Sequence, residues 1–229
     1  MLTLCNIHKE YYISATKTML MKKTFLSIVA VAAFATGVNA QTKFGPELGL
    51  NMAKETQSGY TTSFRAGARI GGIVDIGMGD HFALQPGIFY TMMGTNGKDA
   101  LTNSDANVKL NYIYVPIDLL YKFGETESNR FFVGLGPVVG YCLGGSETFA
   151  GSSYTIKVGS GSDYYTGYVK AIDFGANVLI GYELSSGLVI KAGYYAGLSD
   201  IQANTALTSK TTNSAIQVSL AWLFGGSRY

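Results

Sequence analysis

The 229-residue chain is long enough for one domain of ordinary size, and only 14% of its residues are charged, against roughly 25% in soluble domains. Aromatic residues make up 13%, with 16 Tyr and 12 Phe beside 29 Gly and only 4 Pro, a composition that suits strands better than helices. The net charge of +2 arises in the first 40 residues; without them 13 basic and 14 acidic residues remain, a balance that gives no electrostatic reason to expect nucleic acid as a partner.

Residues 1–20 fit no targeting pattern and read as a non-native upstream extension, with translation starting at Met21; the alternative is an extended n-region that begins at Met1. Residues 21–40 read as a helical signal peptide: Lys22 and Lys23, an apolar run from Phe25 to Ala35, and small residues leading to cleavage after Ala40. That run is too short to cross a bilayer, for which a helix needs about 20 residues. Cys5 falls in the upstream segment, so Cys142 is left alone and is read as a small packed side chain.

Residues 41–229 form the predicted barrel domain. Apolar and small or polar residues alternate in eight successive runs. The first holds Phe44, Leu48, Leu50 and Met52, and the second Ala66, Ala68, Ile70, Val74, Ile76 and Met78. Phe82 to Met92, Ile113 to Tyr121 and Phe131 to Tyr141 follow, then Ile172 to Tyr182, Leu188 to Leu198 and Ile216 to Phe224. Period-2 alternation over about ten to fourteen residues predicts strands, and a tilted strand crossing a bilayer needs about 9–11.

The connections alternate in length. Ala53–Ser63, Gly94–Val108, Gly144–Tyr168 and Ser199–Thr212 are predicted as long loops; Gly79–His81, Phe123–Asn129 and Ser185–Gly187 as short turns. Long outer loops and short periplasmic turns are the asymmetry of outer-membrane barrels. The expected fold is therefore an eight-stranded antiparallel up-and-down transmembrane β-barrel, with the termini periplasmic and the long loops extracellular. Pro46, Pro86, Pro116 and Pro137 all fall inside predicted strands, where bulges are expected.

The face opposite the lipid carries Glu47, Arg65, Arg69, Asp75, Asp118, Lys122, Arg130, Asp173, Glu183 and Lys191. Eight strands enclose an interior only wide enough for side chains, so these charges are expected to pair in a lumen network. Phe44, Phe82, Tyr90, Tyr121, Phe131, Tyr141, Tyr182, Trp222 and Phe224 stand near strand ends, as interfacial girdles require. In the third long loop Tyr154, Tyr164, Tyr165 and Tyr168, among Gly and Ser, form the candidate surface contact.

Catalytic motifs are not found. His8 lies in the upstream segment and His81 in a turn, so neither a Ser-His-Asp triad nor a His-based metal site can be built. The loop carboxylates Asp99, Asp105, Glu147 and Asp163 show no catalytic spacing. No cofactor and no enzymatic activity are expected.

Four segments resemble the PorT-like outer-membrane β-barrel family of Bacteroidetes: Phe44 to Asn51, Phe82 to Tyr90, Leu110 to Lys122 with its Tyr112 to Pro116 stretch, and Phe131 to Tyr141. The resemblance implies an eight-stranded outer-membrane barrel, and it makes strand prolines familiar. The family's founding member is linked to protein secretion across the outer membrane, and the family shares no catalytic residues. The expected function is a non-enzymatic outer-membrane barrel with a structural or surface-interaction role, with accessory work in secretion as one form of it. The expected partners are outer-membrane lipid and other envelope or secretion proteins. The alternatives are a narrow channel or small-ligand binder with a charged lumen, an outer-membrane enzyme, and a soluble lipocalin-like binder, whose apolar lumen would need the reverse pattern.

Overall fold

The computed structural model describes residues 42–57, 60–99, 105–125, 128–161, 167–203 and 210–226; the upstream segment and the predicted leader lie outside them. These residues form no helix. They form β1 (Thr42–Gln57), β2 (Tyr60–Ser63), β3 (Arg65–Met78), β4 (Phe82–Asp99), β5 (Asp105–Phe123) and β6 (Arg130–Phe149). There follow β7 (Ser152–Val158), β8 (Gly167–Val169), β9 (Ile172–Glu183), β10 (Leu188–Gly197), β11 (Thr211–Trp222) and β12 (Phe224–Gly225).

Eight of these strands close a ring. β1, β3, β4, β5, β6, β9, β10 and β11 each pair antiparallel with the next, and β11 returns to β1 with Glu47 opposite Ala221 and Gln57 opposite Thr211. Closure leaves none of these eight strands as an open edge of the ring, which a bilayer demands. β12 continues β11 beyond Leu223 in the same register against β1. The short β2, β7 and β8 grow from the end opposite the short turns.

Alternation places the side chains. On β6, Arg130, Phe132, Gly134, Gly136, Val138, Gly140 and Cys142 are buried, while Phe131, Val133, Leu135, Val139, Tyr141 and Leu143 face outward. The ring thus presents a continuous apolar exterior, including Leu50 at 70% exposed, Leu135 at 65% and Val178 at 62%. A water-soluble protein seldom exposes an apolar surface of this extent; hydrocarbon solvates it without cost. At the short-turn end a belt of outward aromatics forms, with Phe82, Phe123 and Phe131 in ring contact through or beside Tyr121.

Two expectations are corrected. The prolines do not create bulges. The ladder lapses beside them and resumes in unchanged register: between Pro86 opposite Ile117 and Phe89 opposite Tyr114, and between Pro116 opposite Val138 and Leu119 opposite Leu135. A proline removes one donor, and losing that bond shifts no register when the neighbours still pair. Among the described residues the one bulge lies elsewhere, where Leu143 is inserted between Cys142 opposite Tyr112 and Gly144 opposite Asn111. Gly144, with φ of +110°, supplies the backbone turn that the insertion requires.

The second correction concerns the long loops. Much of Ala53–Ser63, Gly94–Val108 and Gly144–Tyr168 is strand: β1 runs to Gln57, β4 and β5 overshoot to Asp99 and from Asp105, and β6 folds back as β7. The β6–β7 hairpin pairs Gly145 with Ile156 through Phe149 with Ser152. Gly, Ser and Thr dilute the apolar signal there, yet the ladder needs only backbone groups. Inside the upper barrel, Ile156, Val169 and Ile201 pack with Met93, Leu110, Tyr112, Tyr114, Val138 and Tyr195.

Candidate functional site

The lower half of the lumen is crossed by one chain of ion pairs and amide links. Glu183 receives Lys43 at 2.7 Å, Lys122 at 2.9 Å and Arg130 at 3.3 Å. Lys122 also reaches Asp75 at 2.8 Å. The amide of Gln85 donates to Asp75 at 2.8 Å and accepts from Lys191 at 3.0 Å. Lys191 pairs with Glu47, which also takes the Ser219 hydroxyl at 2.8 Å and lies 3.8 Å from Arg69. Arg69 donates to Gln217 at 3.1 Å, and its guanidinium stands 3.5 Å from the centre of the Phe89 ring. Each of these charges is buried except Lys43, and a buried charge is tolerable only when it is paired and hydrogen-bonded.

The ten lumen residues predicted from sequence divide accordingly. Glu47, Arg69, Asp75, Lys122, Arg130, Glu183 and Lys191 belong to this chain. Asp118 is buried beside it and accepts from Asn177 at 3.4 Å. Arg65 and Asp173 stand apart. Arg65 lies at the outer end of β3, opposite Ala53. Asp173, fully buried, accepts from the Tyr114 hydroxyl at 2.8 Å, the Ser199 hydroxyl at 2.7 Å and the Asn213 amide at 2.9 Å. Lys43, Gln85, Gln217 and Ser219 are members that charge-counting passed over: Lys43 precedes the alternating run, and the other three carry no charge.

Small residues and rings fill the rest. Tyr112 stacks on Tyr114 with centroids 5.1 Å apart, and Tyr114 meets Tyr195 at the same separation. The rings lie flat over lumen glycines: a Cβ at Gly140 would overlap Tyr114, one at Gly175 would overlap Tyr195, and one at Gly181 would overlap Phe132. Those glycines therefore make room for the aromatic filling.

Of the four tyrosines of the predicted contact surface, the two among the described residues, Tyr154 and Tyr168, are not brought together. Tyr154 lies exposed on β7 and Tyr168 half-buried on β8. Lys157 is level with Tyr168 and Val158 with Val169, so Tyr154 and Tyr168 occupy opposite faces of that ribbon. Tyr164 and Tyr165 lie outside the described residues. Nearby, Asp200 fastens the segment after β10. Partial burial opposes its ionisation, but the backbone N–H groups of Thr211 and Gln202 and the Lys170 ammonium hold its carboxyl below the usual range.

The family described as "Outer membrane protein beta-barrel domain" matches residues 38–203. No curated protein matches the chain. Among solved structures the chain is similar to outer membrane protein OprG of Pseudomonas aeruginosa, at 11% identity, 81% of this chain, 97% of that one and a TM-score of 0.48. It is similar to Neisserial surface protein A at 16% identity, 79% of this chain, 97% of that one and a TM-score of 0.44. A third is Ail, the attachment invasion locus protein of Yersinia pestis, in complex with the heparin analogue sucrose octasulfate, at 11% identity, 80% of this chain, 99% of that one and a TM-score of 0.44.

Proposed function

Because the chain belongs to the outer membrane protein β-barrel domain family, we propose that it is a non-enzymatic barrel, closed to solute flow, that acts through its outward face. The observation that supports this most is the ion-pair chain from Lys43 to Arg69, which spans the lower lumen and ties β1, β3, β4, β5, β6, β9, β10 and β11 together. A conducting lumen would have to break several buried ion pairs at once. In this reading the termini and short turns are periplasmic, and the overshooting strands stand outside the cell as a structural or contact surface. Reconstituted in a planar bilayer, the protein is expected to give no discrete conductance steps; regular steps of constant size would overturn the closed-lumen reading.

The resemblance to PorT-like barrels supports one form of this role, an accessory to protein secretion. Deleting the gene and comparing secreted and surface proteins with the parent strain tests it. The expected result is loss of a defined cargo set, restored by the intact gene. An unchanged profile would reject the secretion role and leave the structural or surface-contact one.

A further inference from the structure

Above the ion-pair chain the lumen holds acids and hydrogen-bond acceptors that lack a cation. Glu55 points inward from the outer end of β1, only 7% exposed. Opposite it on β11 stands Asn213, and Thr211 is two residues on, so both lie within reach across the strand pair. Asn213 is 2% exposed and Thr211 6%. The Glu55 Oε1, Asn213 Oδ1 and Thr211 Oγ1 atoms are all buried and without a hydrogen-bond partner. The orientation of Asn213 is fixed, because its Nδ2 donates to Asp173 Oδ2 at 2.9 Å and to the Tyr112 hydroxyl at 3.3 Å, and a carboxylate can only accept. Its Oδ1 is thereby left as an acceptor.

The charge balance points the same way. A second acid, Asp173, is bonded to the same Asn213 that stands opposite Glu55. Arg65 is the base on this side of the lumen, level with Ala53, and among the described residues no ion pair joins it to Glu55. A buried carboxylate without a counter-charge is costly, so this position is suited to an incoming cation. A metal ion is the poorer match, since among the described residues no three His, Cys, Asp or Glu side chains converge as ligands. A primary ammonium fits better: it has three N–H donors and no acceptor, against three acceptor atoms.

We propose that the upper lumen binds the primary ammonium end of a small amine through Glu55, Asn213 and Thr211. The site does not depend on whether the lower lumen conducts. The test is calorimetric titration of the full-length folded protein in detergent micelles with n-butylammonium chloride. Saturable binding is expected, with tetramethylammonium, which has no N–H donor, binding at least tenfold more weakly. Glu55→Gln is expected to weaken butylammonium binding roughly tenfold or more, and Thr211→Val severalfold, with circular dichroism reporting a folded barrel. Should Glu55→Gln fail to fold, Thr211→Val carries the same test. Four results would overturn the proposal: no saturable binding, equal binding of tetramethylammonium, affinity unchanged in both variants, or competition by calcium ions at lower concentration. Binding seen only after Arg65→Gln would also overturn it, by showing that Arg65 occupies Glu55 in solution.

Discussion

Glu183→Gln is expected to destabilise the folded barrel by about 3–5 kcal/mol, the cost of removing one partner from a buried ion pair. Glu183 is 2% exposed and holds three cations from three different strands, β1, β5 and β6. Glutamine keeps the shape but not the charge, so Lys122 and Arg130 remain buried with one carboxylate fewer between them. Asp75 still reaches Lys122, which limits the loss; Arg130 has no second acid among the described residues. The measurement is equilibrium unfolding in lipid vesicles, followed through Trp222, the single tryptophan, which faces outward. Glu125→Gln in the exposed turn should change stability by less than about 0.5 kcal/mol. Adding Arg130→Met to Glu183→Gln should recover part of the loss, because the cation left without an acid is then removed, while Lys122 keeps Asp75. A loss for Glu183→Gln no larger than that for Glu125→Gln would mean that the lower lumen is wet and the ion-pair chain is screened.

How much of this was legible in the sequence depends on the range of the interaction. The sheet is legible because a side-chain period of two is written into consecutive residues: Ile113, Val115, Ile117 and Leu119 against Tyr112, Tyr114 and Asp118 already separate the two faces. That the charged face points inward is legible for the same reason. Which charge meets which is not. Lys43 and Glu183 are 140 residues apart, and Lys191 meets Gln85 across 106, distances over which no local pattern survives. Closure of the ring also splits the predicted set by depth, putting Asp173 among tyrosines near the outer end and Asp75 among lysines near the inner one. The overshooting strands were hidden for another reason. In Gly145 to Phe149 and Ser152 to Val158 both faces are largely solvated, so alternation there carries no change of polarity, and the hairpin declares itself only in the backbone pairing.

The membrane reading makes its own quantitative demand, and β6 is the strand on which to test it. Between the outward aromatics Phe131 and Tyr141, Leu135 stands near the midpoint, with Val178 of β9 and Leu119 of β5 beside it. If that stretch crosses hydrocarbon, Leu135→Arg should destabilise the barrel in lipid vesicles by about 2–4 kcal/mol, the cost of a cation at the bilayer midplane. Leu143→Arg is on the same face beyond Tyr141, where the cost should fall to about 0–1 kcal/mol. Both side chains are half or more exposed, 65% and 51%, so in water the two substitutions would be equivalent and each nearly neutral. Packing inside the lumen is untouched by either, and Leu143→Ala reports what the bulge at that position contributes, so the remaining difference measures depth. A gap of about 2 kcal/mol or more places Leu135 in the hydrocarbon core and Leu143 at the interface. Equal, small effects would reject the spanning arrangement of β6, and with it the assignment of the apolar exterior to lipid.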